Sequence, residues 1–148
     1  MTTTRTKPDS PRIPCVGAVV RDENGRLLLI RRGTDPGHGQ WSIPGGRVKD
    51  GETGEVAVAR EVREETGLIV TVGAAVGTID RPGRDGATYV ITDYVCHLAS
   101  PSLPTVAGDD VDSAAWVSDD ELSSYDIVDG LLDALREWGL LTRVGRPA

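Results

Sequence analysis

The chain has 148 residues, a formal net charge of −7 and an ordinary hydrophobic content of 39%. That length suits one domain with its own core, and the negative charge excludes a nucleic-acid backbone or an anionic membrane surface as the natural partner. Cys15 and Cys96 make neither a zinc site nor a disulfide framework, no run is apolar and long enough to span a bilayer, and the N-terminus lacks a signal region, so a cytoplasmic protein is expected.

Residues 1–13 are polar and proline-containing and read as a flexible tail. Residues 14–141 read as the single domain and 142–148 as a C-terminal tail. Cys15 to Arg21 and Leu27 to Arg31 are strand-like runs joined by Asp22-Glu23-Asn24-Gly25, a hairpin signature. Arg32 to Gln40 is a glycine- and proline-rich loop. A helix then follows Gly51, with Thr53 as its N-cap and Gly67 as its left-handed C-terminal residue. Ile69 to Ile79 and Thr88 to Leu98 predict two further strands around the turn-rich segment Asp80 to Gly86. Ala114 to Val117 is a short strand, and Ser118 caps a helix start. Leu131, Leu132, Leu135 and Trp138 recur at helical spacing, which predicts an amphipathic helix over 127–141. Strands flanked by two helices predict an α/β fold, an α/β/α sandwich around a mixed sheet.

The helix after Gly51 carries the chemistry. Positions i, i+3 and i+4 share one helical face, so Glu61, Glu64 and Glu65 converge. Like charges that close repel unless something neutralises them, and Mg²⁺ prefers such oxygen ligands together with waters and substrate phosphates. Val58, Ala59, Val62 and Thr66 fall on the side expected to face a sheet. Gly54 and Ala57, small residues beside the glutamates, are expected to leave room for ions and a pyrophosphate. Arg60, four residues before Glu64, is placed to hold that carboxylate.

The run Gly46 to Leu68 resembles the Nudix box, G-x5-E-x7-R-E-U-x-E-E-x-G-U with U aliphatic. Gly46, Glu52, Arg60, Glu61, Val62, Glu64, Glu65, Gly67 and Leu68 meet every fixed position, and Trp41 to Gly45 is similar to the family's entry into it. The resemblance covers about residues 14 to 140. It implies the Nudix α/β/α sandwich and the Mg²⁺- or Mn²⁺-dependent hydrolysis of a nucleoside diphosphate linked to another moiety. It also implies metal ligation by Glu61, Glu64, Glu65 and the Gly45 carbonyl.

Glu52 and Arg60 are assigned to orienting those carboxylates. The general base stays open between Glu64, Glu61 and an acid of the segment before Trp116, where Asp110 is preferred over Asp109 and Asp112. Arg32, Arg47 and Arg84 are the cations assigned to a small-molecule nucleotide substrate. Pro82, downstream of the box, is similar to a proline associated with the branch that cleaves ADP-ribose, which makes ADP-ribose or a related nucleotide sugar the leading substrate. A pool-sanitising hydrolase of 8-oxo-dGTP is the first alternative, and a nucleotide sensor without turnover is the second. Relatives that complete the site across a dimer suggest a homodimer, which nothing in the residues demands.

Overall fold

The computed structural model describes residues 10–33, 38–99 and 111–141, apart from the side chains of Val111 and Asp112. Residues 1–9 of the expected N-terminal tail and the whole expected C-terminal tail, 142–148, lie outside the described residues, as do Asp109 and Asp110.

The chain runs β1 (Arg12–Arg21), β2 (Leu27–Arg32), β3 (Trp41–Ser42), β4 (Gly45–Arg47), α1 (Gly54–Thr66), β5 (Val70–Pro82), β6 (Thr88–Leu98), β7 (Val111–Val117) and α2 (Leu131–Glu137). Short 3-10 segments occupy Arg84–Gly86 and Asp119–Ser124. All strands join one seven-stranded mixed sheet with the path β3-β2-β1-β6-β5; β4 pairs with β1 and β7 with β2. Its centre is the parallel pair β1 and β6, in register from Arg12 opposite Thr88 to Arg21 opposite His97. That pairing draws β1 back to Arg12, into the segment expected to be a loose tail.

The β1–β2 hairpin forms as its sequence predicts. Gly25 takes φ +78°, and the Asp22 carboxylate accepts from the Asn24 and Arg26 backbone N–H groups and from Arg26 Nε. Strand alternation then divides the core in two. Val16, Ala18 and Val20 of β1 pack with Tyr94 and Cys96 of β6 against Ala57, Val58 and Val62 of α1. Val19, Leu27 and Leu29 pack on the other face with Ile43, Leu131 and Leu135. Each fully buried Val or Leu contributes roughly 1.5–3 kcal/mol, so both helices are held by sheet packing. The result is the expected α/β/α sandwich.

The last helix is shorter than its periodicity predicts. Gly130 takes φ +84° and ends backward extension. Before it, Ile127 forms a bridge with Trp41 and Val128 N–H donates to the Trp41 carbonyl. Gly139 takes φ +74° and stops the helix at the other end. Trp138 packs against Gly77 of β5, where a Cβ would fall 2.3 Å from the indole. The Ser118 segment is a 3-10 turn, with the Ser118 N–H donating to Glu121 Oε1 at 3.3 Å. Cys15 and Cys96 are buried free thiols, and burial pushes Cys96 up to about 11.

Candidate active site

Helix α1 has the caps the sequence predicts. Thr53 Oγ1 accepts from Val56 N–H at 3.2 Å, and Gly67, at φ +77°, donates to the Arg63 carbonyl at 2.9 Å. Between these caps, Arg60 is the hub. Its Nε donates to Glu52 Oε2 at 2.6 Å and its Nη2 to Glu52 Oε1 at 2.9 Å. The Nη1 nitrogen donates to Glu61 Oε2 at 3.1 Å and to Glu64 Oε1 at 3.0 Å. Nη2 also donates to the Arg47 carbonyl at 3.0 Å. A guanidinium has five N–H donors in a fixed fork, and each finds an acceptor here. This pairing holds the Glu52 carboxyl down at about 2, with the Lys49 backbone N–H adding to the effect.

Glu65 is held separately. It is buried, and its Oε1 accepts from the Gly45 backbone N–H at 3.0 Å. Glu61 lies against the backbone of Gly46, where a Cβ would fall 2.3 Å from its Oε2. Gly45 also has a packing reason to be glycine, since a Cβ there would meet the Val16 carbonyl oxygen of β1 at 2.1 Å. Strand β4 thus lies close over β1 and delivers its backbone to the glutamates.

Two small residues of the helix do not do what the sequence suggests. Ala57 is fully buried in the α1–sheet core. At Gly54 a Cβ would fall 2.1 Å from the Tyr94 hydroxyl oxygen. Both positions are small because the sheet approaches closely there, so they do not open space above the carboxylates.

Glu61 and Glu65 border a cleft of about 1110 Å³. Gly45, Gly46, Glu61 and Glu65 line it, and so do Arg32 and Arg47. The Arg47 guanidinium lies 5.5 Å from the centre of the Tyr89 ring and donates to the Tyr89 hydroxyl at 3.3 Å. Arg84 is exposed in the turn after β5 and does not line the cleft. Pro82 and Arg81 do line it, and Arg81 Nη1 donates to the Asp129 carbonyl, tying β5 to the segment before α2. Asp110 lies outside the described residues, and Asp112 belongs to β7 without a described side chain.

One cleft residue escapes sequence reasoning. Asp93 of β6 is 2% exposed, and among the described residues its Oδ1 has no hydrogen-bond partner. Burial raises its carboxyl to about 6, partly opposed by the nearby charge of Arg81. The available signal is an acid in mid-strand between Thr92 and Tyr94, since buried acids without a partner are rare.

Four carboxylates, those of Glu52, Glu61, Glu64 and Glu65, thus gather around one guanidinium and one backbone N–H. Excess negative charge on oxygen donors beside a backbone strand is the chemistry a hard divalent ion requires, so the residues fit one. In this arrangement no three acidic side chains among the described residues close into a cage.

The family model described as the NUDIX domain matches residues 11–137. The chain belongs to the Nudix family. It is 38% identical over 107 residues to the ADP-ribose pyrophosphatase of Methanocaldococcus jannaschii, a match covering 72% of this chain and 61% of that protein. It is also 38% identical over 122 residues to the putative 8-oxo-dGTP diphosphatase 2 of Mycobacterium tuberculosis, covering 79% of this chain and 80% of that protein. The crystal structure of the MutT protein from Methanosarcina mazei Go1 superposes with a TM-score of 0.75 at 25% identity, over 90% of this chain and 96% of that one. The Nudix domain is therefore that of a hydrolase acting on phosphoric anhydrides. Its described helices include none long and apolar enough to cross a membrane.

Proposed function

We propose that the protein is a Mg²⁺-dependent hydrolase, also served by Mn²⁺, that cleaves the pyrophosphate linkage of a nucleoside diphosphate derivative. ADP-ribose or a related nucleotide sugar is the leading substrate. The observation that carries the catalytic part is the fan of Arg60 bonds, which holds Glu52, Glu61 and Glu64 together beside the cleft. Glu61, Glu64, Glu65 and the Gly45 carbonyl would hold the ion. When bound, such an ion neutralises the phosphate oxygens and lowers the pKa of an attacking water. Arg60 and Glu52 are positioning residues that fix the glutamates. Arg32 and Arg47 meet the phosphates from the cleft wall, and Arg84 joins them from the adjoining turn. A carboxylate, Glu64, Glu61 or Asp110, takes the proton of the water.

The substrate reading is supported by the name of the Methanocaldococcus jannaschii relative and by Pro82, Arg81 and Tyr89, which line a cleft large enough for a two-part molecule. A second reading, hydrolysis of 8-oxo-dGTP, is supported by the Mycobacterium tuberculosis relative and by the buried carboxyl of Asp93. The proposal includes a cytoplasmic location, in keeping with two buried free thiols, and a homodimer, which light scattering would test. Product analysis decides the substrate. AMP and ribose 5-phosphate from ADP-ribose as the best substrate support the first reading, and preferred release of pyrophosphate from 8-oxo-dGTP supports the second. A sensor would bind without turnover of either.

A further inference from the structure

Asp93 is an expensive residue in its place. It sits in mid-strand on β6, directly opposite Gly17 of β1 and Gly77 of β5. Both neighbours lack side chains, and a Cβ on Gly17 would fall 2.2 Å from Asp93 Oδ1. The glycine therefore vacates the space the carboxyl occupies. A buried carboxylate without hydrogen bonds costs several kcal/mol, and among the described residues no hydrogen bond offsets this at Oδ1. The same carboxyl lines the cleft that Glu61 and Glu65 border, among Ile79, Ile91, Val128 and Leu131. Arg81, whose charge lies near this carboxyl, lines the cleft as well. Apolar walls with a few polar groups among them suit a flat heterocycle better than a sugar.

We propose that Asp93 is a specificity-determining residue whose carboxylate accepts hydrogen bonds from the N–H edge of the substrate's nucleobase. This inference deepens the hydrolase reading above and rests on its placing a nucleotide in the cleft. An ionised carboxylate only accepts hydrogen bonds. The guanine edge presents two adjacent donors, a ring N–H and an amino group, which a carboxylate accepts together. The adenine edge presents one donor beside a ring nitrogen lone pair, which meets the carboxylate with like charge. An amide in the same place offers one acceptor and one donor, which complements adenine instead. Asp93→Asn therefore shifts preference from guanine towards adenine, whichever base the native protein favours.

The test is calorimetric titration with GMP and with AMP, each with Mg²⁺ at pH 8, on the wild type and Asp93→Asn. The side chains are nearly isosteric, and thermal unfolding checks that the variant is folded; Asp93→Ser serves as a second neutral variant. The expected result is a loss of GMP affinity of roughly ten- to a hundredfold in both variants, the worth of hydrogen bonds to a charged group. AMP affinity stays level or rises in Asp93→Asn. An unchanged GMP-to-AMP ratio, equal weakening of both ligands, or no binding of either by the wild type overturns the inference. Hydrolysis by the wild type is measured alongside. Turnover with an unchanged ratio leaves the hydrolase reading standing without the inference, and an Asp93-dependent ratio without turnover does the reverse.

Discussion

Arg60 grips both oxygens of Glu52, through Nε at 2.6 Å and Nη2 at 2.9 Å. Glu52 lies in the turn before α1 and Arg60 two helical turns inside it, so this pair ties the incoming backbone to the helix. The remaining N–H groups of the same guanidinium reach Glu61, Glu64 and the Arg47 carbonyl. One planar side chain thus sets the positions of two carboxylates assigned to the metal.

Lysine cannot reproduce that fork. Arg60→Lys is expected to lower kcat/KM about 10- to 100-fold, the usual cost of losing a group that orients metal ligands. Steady-state kinetics across a Mg²⁺ titration checks this. A merely structural role would change thermal stability without raising the Mg²⁺ concentration needed for half-maximal rate.

Gly46→Ala introduces a Cβ 2.3 Å from Glu61 Oε2. The carboxylate must swing off the strand, away from Gly45. Weaker Mn²⁺ binding by at least tenfold is expected from electron paramagnetic resonance titration, with the fold retained in far-UV circular dichroism.

Gly54→Ala would ordinarily stabilise a helix by about 0.5–1 kcal/mol. Here the new Cβ would lie 2.1 Å from the Tyr94 hydroxyl, and overpacking costs about 1–3 kcal/mol. The variant is expected to unfold several degrees below wild type. In a Tyr94→Phe background the penalty should shrink, a coupling that a double-mutant cycle in thermal unfolding measures; the ring Cζ would still lie 3.1 Å from the new Cβ.

Asp93 makes stability depend on pH. Its folded pKa, about 6, lies above the ordinary value of 3.8. The folded chain therefore binds the proton more tightly, and stability falls as pH rises from about 4 through 6. The shift corresponds to roughly 3 kcal/mol. Asp93→Asn should be several degrees more stable than wild type at pH 8, and that gain should shrink towards pH 4. Thermal unfolding at both pH values reads the difference directly.

The Nudix helix was legible because its determinants are local. Thr53, Gly67, the glutamates and Arg60 lie within one segment whose spacing fixes caps and faces. The hairpin at Asp22 to Gly25 was legible for the same reason. What escaped depends on partners distant in sequence. Gly54 is small because of Tyr94, Gly17 because of Asp93, and Gly77 because of Trp138. Strand β1 reaches Arg12 because β6 pairs with it in parallel, across most of the chain. Periodicity over-extended the last helix because apolar residues at 127 and 128 meet Trp41 rather than continue the helix, and Gly130 turns the backbone. Asp93 reads as one acid in a strand until β1 and β5 are set beside it.

Catalysis by the glutamate cluster is measured as turnover of a panel containing ADP-ribose, 8-oxo-dGTP and dGTP with Mg²⁺, by wild type and by Glu64→Gln and Glu65→Gln. Measurable hydrolysis of at least one phosphoric anhydride by the wild type is expected. Both variants should lose at least a hundredfold in kcat, with each still folded. Equal rates in wild type and variants, or hydrolysis that persists undiminished after chelation of divalent ions, would contradict catalysis by this cluster.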